Sequence, residues 1–177
     1  MSVYLKELQE EDLLFVKEIY DYYILHTTVV YFTEPISIET LKSFIPIGIS
    51  QYPSYLIIEE ESNIPVGFCY CARFKPREAY DITTEATIYF KPEHTGKGYG
   101  YKAMELLEII IREKGIKNIL AVIDGANKAS LRFFENCGFE QCGCIKQVAQ
   151  KFGKELDVVF YQKTLRNTQQ FYFKNER

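Results

Sequence analysis

The sequence predicts a mixed α/β domain with an antiparallel first half, in the order β-α-α-β-β-β-α-β-α-β-β. Three observations point there. Stretches of strand-like alternation and of helical spacing follow one another with no internal repeat and no Gly/Ser linker. Three strand candidates succeed one another between residues 55 and 90, two of them joined by a short turn. Strand and helix then alternate before a last pair of strands, which is not the pattern of a doubly wound dinucleotide-binding sheet. A single domain over residues 1–165, followed by a polar tail at 166–177 that carries Phe171, Tyr172 and Phe173, accounts for the chain.

Each element has a local reason. Residues 3–8 alternate as a short strand, and 12–25 place Leu13, Val16, Ile19, Tyr20, Tyr23 and Ile24 at helical spacing behind an acidic start. Ser37 reads as the N-cap of a second helix, which Pro46 should end. Strands are expected at 55–60 and 66–74 around the turn-like Ser62-Asn63-Ile64-Pro65, and at 82–90. Residues 98–114 read as a helix with Met104, Leu107, Ile110 and Ile111 on one face, closed by Gly115. Residues 119–123 are wholly apolar, as at a sheet centre. A helix at 127–137 stops at Gly138, and strands at 140–148 and 156–164 flank Lys151-Phe152-Gly153-Lys154.

Composition narrows the function. The chain of 177 residues is 47% hydrophobic and 25% charged, the balance of a globular protein with a full core. Its net charge of −3 argues against nucleic acid or an anionic membrane surface as partner. Neither a spanning apolar run nor a secretory leader is evident, so a cytoplasmic protein is expected. Five cysteines, an odd number, favour free thiols. Cys69/Cys71 and Cys142/Cys144 form C-x-C pairs in strand-like runs, so buried or half-buried apolar thiols are expected and a metal is not.

The sharpest chemical signal is Thr95-Gly96-Lys97-Gly98-Tyr99-Gly100, between a strand ending at Phe90 and a helix. Glycines let backbone amides approach a ligand, and a helix N-terminus offers free N–H groups and the positive end of the dipole, which suits a pyrophosphate. No Lys-Ser/Thr follows, so it is not a Walker loop. A tight turn with no ligand would use the same residues. About thirty residues later comes Asn127-x-x-Ser130-x-x-x-Phe134-x-x-x-Gly138-Phe139.

The two segments together resemble the signature motifs of the GNAT superfamily of N-acetyltransferases. Tyr31-Phe32-Thr33-Glu34-Pro35, residues 74–81 and residues 151–157 are similar to segments of the phosphinothricin acetyltransferase family, whose members acetylate small amino acids and are usually homodimers. The resemblance implies acetyl-CoA as co-substrate, a small-molecule amine as acceptor, and a role for individual residues. It implies Glu85 as general base and Ile88, Tyr89 and Phe90 as the strand along the pantetheine arm. It implies Gly96, Lys97, Gly98, Tyr99, Gly100 and Tyr101 as the pyrophosphate loop, and Asn127 and Ser130 as further cofactor contacts. Lys75, Arg77 and Tyr80 fall in the loop that would face the substrate's carboxylate and side chain. By the strand period of two, Glu85, Thr87 and Tyr89 share a face. A solvated strand glutamate and an ordinary charged loop are the plain alternatives for Glu85 and for Lys75 with Arg77.

Two positions depart from the family. Thr95 stands where Gln or Arg usually heads the loop, and Phe134 where a Tyr or His usually serves as acid. The histidines, His26 and His94, carry no assigned role. Other amine acceptors, such as a protein N-terminus, a polyamine or an aminoglycoside, remain open at this level, as does a silent acyl-CoA sensor.

Overall fold

The computed structural model describes residues 2–165, so the aromatic tail at 166–177 lies outside the described residues. Strand β1 (Val3–Glu7) leads to helices α1 (Leu13–His26) and α2 (Ile38–Phe44), then to strands β2 (Ser54–Glu59), β3 (Ile64–Arg73) and β4 (Thr83–Phe90). Helix α3 (Tyr99–Glu113), strand β5 (Asn118–Asp124), helix α4 (Lys128–Asn136) and the hairpin β6 (Glu140–Lys151) and β7 (Lys154–Thr164) complete the order read from the sequence.

The strands form one sheet in the order β1-β2-β3-β4-β5-β7-β6. Every neighbouring pair is antiparallel except β4 and β5, which are parallel. That junction positions everything that follows. Its pairing is confined to Thr83, Thr84 and Glu85 against Asn118, Ile119 and Leu120, although β4 continues to Phe90 and β5 to Asp124. Beyond Glu85 the two strands part, and the sheet is split by a wedge.

Each face of the sheet carries its own helix pair. On one side Tyr99, Ala103, Met104, Leu107 and Ile111 of α3 and Phe134 of α4 pack on Cys69, Cys71, Ala86, Ile119, Ala121 and Ile123. On the other, Leu13, Val16, Ile19, Tyr20 and Ile24 of α1 and Leu41 of α2 pack on Leu56, Ile58, Phe68 and Tyr70. Strand alternation sorts β3 between them, with Phe68 and Tyr70 to one face and Cys69 and Cys71 to the other. Each buried aliphatic side chain stabilises the fold by about 1.5–3 kcal/mol, so the split sheet is held from both sides rather than by its own ladder.

The local signals hold with small shifts. Ser37 caps α2 by accepting from the Thr40 amide at 3.1 Å, and the helix ends at Phe44 because the residue before Pro46 must be extended. Ile64 and Pro65, expected in a turn, belong to β3. Pro65 sits beside the bulge between Ile57 and Ile58 of β2, where its missing N–H costs little. Strand β6 runs to Lys151 rather than to 148. Between Ile145 and Ala149 it bulges, and Asp157 fills the bulge by accepting from the Gln147 amide at 2.9 Å and from Lys146 Nζ at 2.8 Å. The hairpin closes on Phe152 (φ 50°) and Gly153 (φ 70°), both left-handed as a two-residue turn with strand-matched twist requires. Cys69 and Cys71 are buried thiols as expected, but Cys142 and Cys144 are exposed, because β6 is an edge strand.

Candidate active site

The wedge between β4 and β5 is a cleft open to solvent. Residues 85–89 of β4 form one wall, and Val122, Ile123 and Asp124 of β5 form the other. Asn127, Ser130 and Phe134 close it on the α4 side, and Val29 closes it on the α1 side. Since Glu85, Thr87 and Tyr89 face the α1 layer while Ala86 and Ile88 face the α3 layer, the opening connects the two faces of the sheet.

Glu85 sits at the apex, as the last residue of β4 paired to β5. Burial lifts its carboxyl above the usual carboxylate range, and the nearby Lys75 ammonium pulls in the opposite direction. Around it lies an aromatic layer. The Tyr20 and Tyr70 hydroxyls are 3.0 Å apart, and Tyr20 packs on Phe68 and Tyr89 with centroids at 5.4 Å in each case. Burial drives the phenols of Tyr20, Tyr70 and Tyr89 up, so they stay protonated. Such a carboxylate can take a proton from an amine near neutral pH.

On the other face, the segment 91–98 joins β4 to α3 through a short 3-10 turn, Pro92–His94. Gly96 (φ 71°) and Gly98 (φ 81°) are left-handed, and a Cβ on either would meet nothing within 4 Å. The backbone there is open to a ligand, and Gly98 caps α3, whose first amides have no partner within the helix. Gly100 serves a different end. A Cβ there would lie 2.9 Å from the Phe133 ring, so it lets α3 approach α4. Thr95 closes the 3-10 turn by donating to Pro92 O at 2.8 Å.

The expected loop residues divide accordingly. Tyr99 is buried and its hydroxyl donates to Glu59, so only its backbone faces the loop side. Lys97 is exposed. Tyr101 lays its ring 5.3 Å from that of Phe133 and accepts from Asn136 Nδ2 at 3.0 Å. Ile88 and Tyr89 line the cleft, whereas Phe90 stands outside its lining and accepts from the Tyr23 hydroxyl at 3.0 Å. Asn127 caps α4, accepting from the Ser130 amide at 3.1 Å and donating to Ser130 Oγ at 3.0 Å.

The expected substrate loop is only partly brought to the cleft. Lys75 reaches Glu85 electrostatically, but none of Lys75, Arg77 and Tyr80 lines the cleft. Tyr80 packs edge-on to Phe74 at 5.7 Å, and Arg77 precedes the short 3-10 turn Glu78–Tyr80. All three are exposed on the segment between β3 and β4. His26 lies on the surface against Tyr22, and His94 beside Tyr99, both away from the cleft lining.

Other residues of the site are not marked by the motifs. Asp124, 2% exposed, ends β5 and accepts from the Thr28 hydroxyl and from the Ala126 amide. Lys151, 3% exposed, donates to Val30 O at 2.7 Å, and Tyr89 donates to Val29 O at 3.4 Å. Three successive residues of the α1–α2 connection are thereby tied to the cleft or beside it. Asp124 carries one sequence signal, a lone carboxylate closing an apolar strand, at the strand end where α/β sheets bind ligands.

Residues 17–139 match the model of the acetyltransferase (GNAT) family. The chain belongs to that family. This GNAT chain is 27% identical to an L-methionine sulfoximine/L-methionine sulfone acetyltransferase of Pseudomonas paraeruginosa, over 93% of its own length and 96% of the relative's. It is 36% identical to a phosphinothricin N-acetyltransferase of Alcaligenes faecalis over 63% of this chain and 56% of the other. Its fold superposes with a TM-score of 0.82 on a phosphinothricin acetyltransferase from Sinorhizobium meliloti in complex with acetyl-CoA. That match covers 93% of this chain and 89% of that one at 29% identity. The protein is an acetyl-CoA-dependent N-acetyltransferase.

Proposed function

We propose that the protein moves the acetyl group of acetyl-CoA onto the primary amine of a small amino-acid-like molecule, with Glu85 as general base. The observation that carries this reading is the place of Glu85, a carboxylate raised by burial at the point where the sheet opens. The relatives named for methionine sulfoximine, methionine sulfone and phosphinothricin support the substrate class.

Bound acetyl-CoA supplies the acyl group as a thioester. The chain's own residues fit it on the α3 side. The unpaired β4 edge beyond Glu85 can accept the pantetheine arm as an added strand, and the open backbone at Gly96 and Gly98 with the start of α3 suits the pyrophosphate. The amine enters from the α1 side. Glu85 removes the proton that an ammonium must lose before its nitrogen can attack, and Lys75 keeps the carboxylate from being lifted further. Lys75 and Arg77, on the exposed β3–β4 segment, offer cations for the acceptor's carboxylate. The family likeness also implies a homodimer, which sedimentation of the purified chain tests.

A panel of amino acids and their decarboxylated counterparts, followed by release of free thiol, tests the substrate class. Amino acids should be preferred, and Arg77→Ala should raise KM for them by roughly 10–150-fold, the worth of a charge-assisted hydrogen bond, while barely affecting the decarboxylated amines. Equal losses on both, or a wild type that accepts only polyamines or peptides, would remove the amino-acid reading.

A further inference from the structure

Breaking a thioester leaves an electron pair on sulfur, and Phe134, which lines the cleft from α4, has no proton to offer. Phe134 is 5% exposed and lines the cleft with its ring edge-on to Phe133 and Phe139. Three hydroxyl groups line the same cleft: Thr87, Tyr89 and Ser130. Thr87 shares the α1 face of β4 with Glu85, away from the α3 side, and Tyr89 donates to Val29 O. Ser130 differs. Its oxygen accepts from Asn127 Nδ2 at 3.0 Å, its own amide donates to Asn127 Oδ1 at 3.1 Å, and its hydroxyl proton has no acceptor among the described residues. The reciprocal pair with Asn127 fixes the oxygen and leaves the proton to point away from Asn127. Ser130 also lies one helical turn before Phe134, so both side chains share the cleft face of α4.

From this arrangement, and resting on the acetyl-transfer reading above, we infer that the Ser130 hydroxyl is the catalytic hydrogen-bond donor to the leaving thiolate. As the amine nitrogen bonds to the acetyl carbon, the C–S bond breaks and its electron pair stays on sulfur. The surplus proton on nitrogen passes to Glu85 and on to water. Ser130 keeps its proton and shares it with the sulfur, because a serine hydroxyl is far less acidic than a thiol of pKa about 8.5. The thiolate takes its own proton from solvent once released. A donor of this kind suffices because such a thiolate is already a fair leaving group near neutral pH.

The test has a binding arm and a kinetic arm. Calorimetric affinity for free coenzyme A, measured against pH, reports the acidity of the bound thiol without any turnover. In the wild type affinity should rise as pH approaches the thiol range, since the bound thiolate is favoured. In Ser130→Ala that rise should be lost, and Ser130→Thr, which keeps a hydroxyl, should restore it. Kinetically, Ser130→Ala should lower kcat by about 10–100-fold with acetyl-CoA affinity within about threefold. A wild-type affinity that is flat with pH, a Ser130→Ala curve that matches the wild type's, or a Thr variant that behaves as Ala would overturn the assignment. A wild type that shows the affinity rise but transfers no acetyl group would overturn the transfer reading instead.

Discussion

Glu85 holds two opposed demands. Burial makes it a better base and also makes its charged form costly to the fold. Glu85→Gln is expected to lower kcat by about 10²–10⁴-fold with acetyl-CoA affinity unchanged, read by calorimetry beside steady-state rates. Its folded pKa is raised, so its contribution to stability is full below the ordinary carboxylate range and is lost as pH rises through the raised value. The Gln variant should therefore have a higher Tm than the wild type at neutral pH, with the gap closing toward pH 4. Lys75→Met removes the opposing cation, so the acid limb of the kcat/KM profile should move to higher pH. An unmoved limb would take Lys75 out of the site. The places of Asn127 and Ser130 at the cleft were legible from a short motif, and that of Glu85 from the family resemblance. The burial of Asp124 and Lys151 was not, since it comes from distant contacts: Lys151 bonds a carbonyl 121 residues earlier in the chain.

At the scale of elements, the glycines of the β4–α3 loop separate binding from packing. Gly98 is left-handed with open space around it, so Gly98→Val strains the backbone by roughly 1–2 kcal/mol and crowds the ligand side. It should weaken acetyl-CoA binding with a modest change in Tm. Gly100→Val drives a branch into Phe133 and should cost roughly 1–3 kcal/mol, a drop of several degrees in Tm by calorimetric scan. A Gly100 variant with wild-type Tm would contradict the packing role. The α1–α2 connection behaves as a wall pinned at Thr28, Val29 and Val30 by Asp124, Tyr89 and Lys151. Element types were readable from periodicity because core faces recur at fixed spacing in α1 and α3. The β6 bulge was not, because what bends the strand is Asp157 on its partner, and the exposed 140–148 run alone reads as a strand that stops.

Across the whole molecule, the feature that decides the reading is the parting of the sheet. Neighbouring strands are joined by ladders, but β4 and β5 pair only as far as Glu85, and the gap beyond it opens toward α3 and α4 on one face and α1 on the other. The parting of the strands could not be read from the sequence, since both remain strand-like in composition as far as Phe90 and Asp124. On the proposed reading, with one reactant on each side of this cleft, direct attack with both bound follows. The cysteines fit no covalent route: Cys69 and Cys71 are buried thiols pushed upward by burial, Cys71 to about 12, and none of the five lines the cleft. Initial rates of thiol release, measured over a grid of acetyl-CoA and amino-acid concentrations, test the account most directly. It predicts release that depends on the amino acid and reciprocal plots that intersect. Parallel plots, or release indifferent to the amino acid, would contradict it.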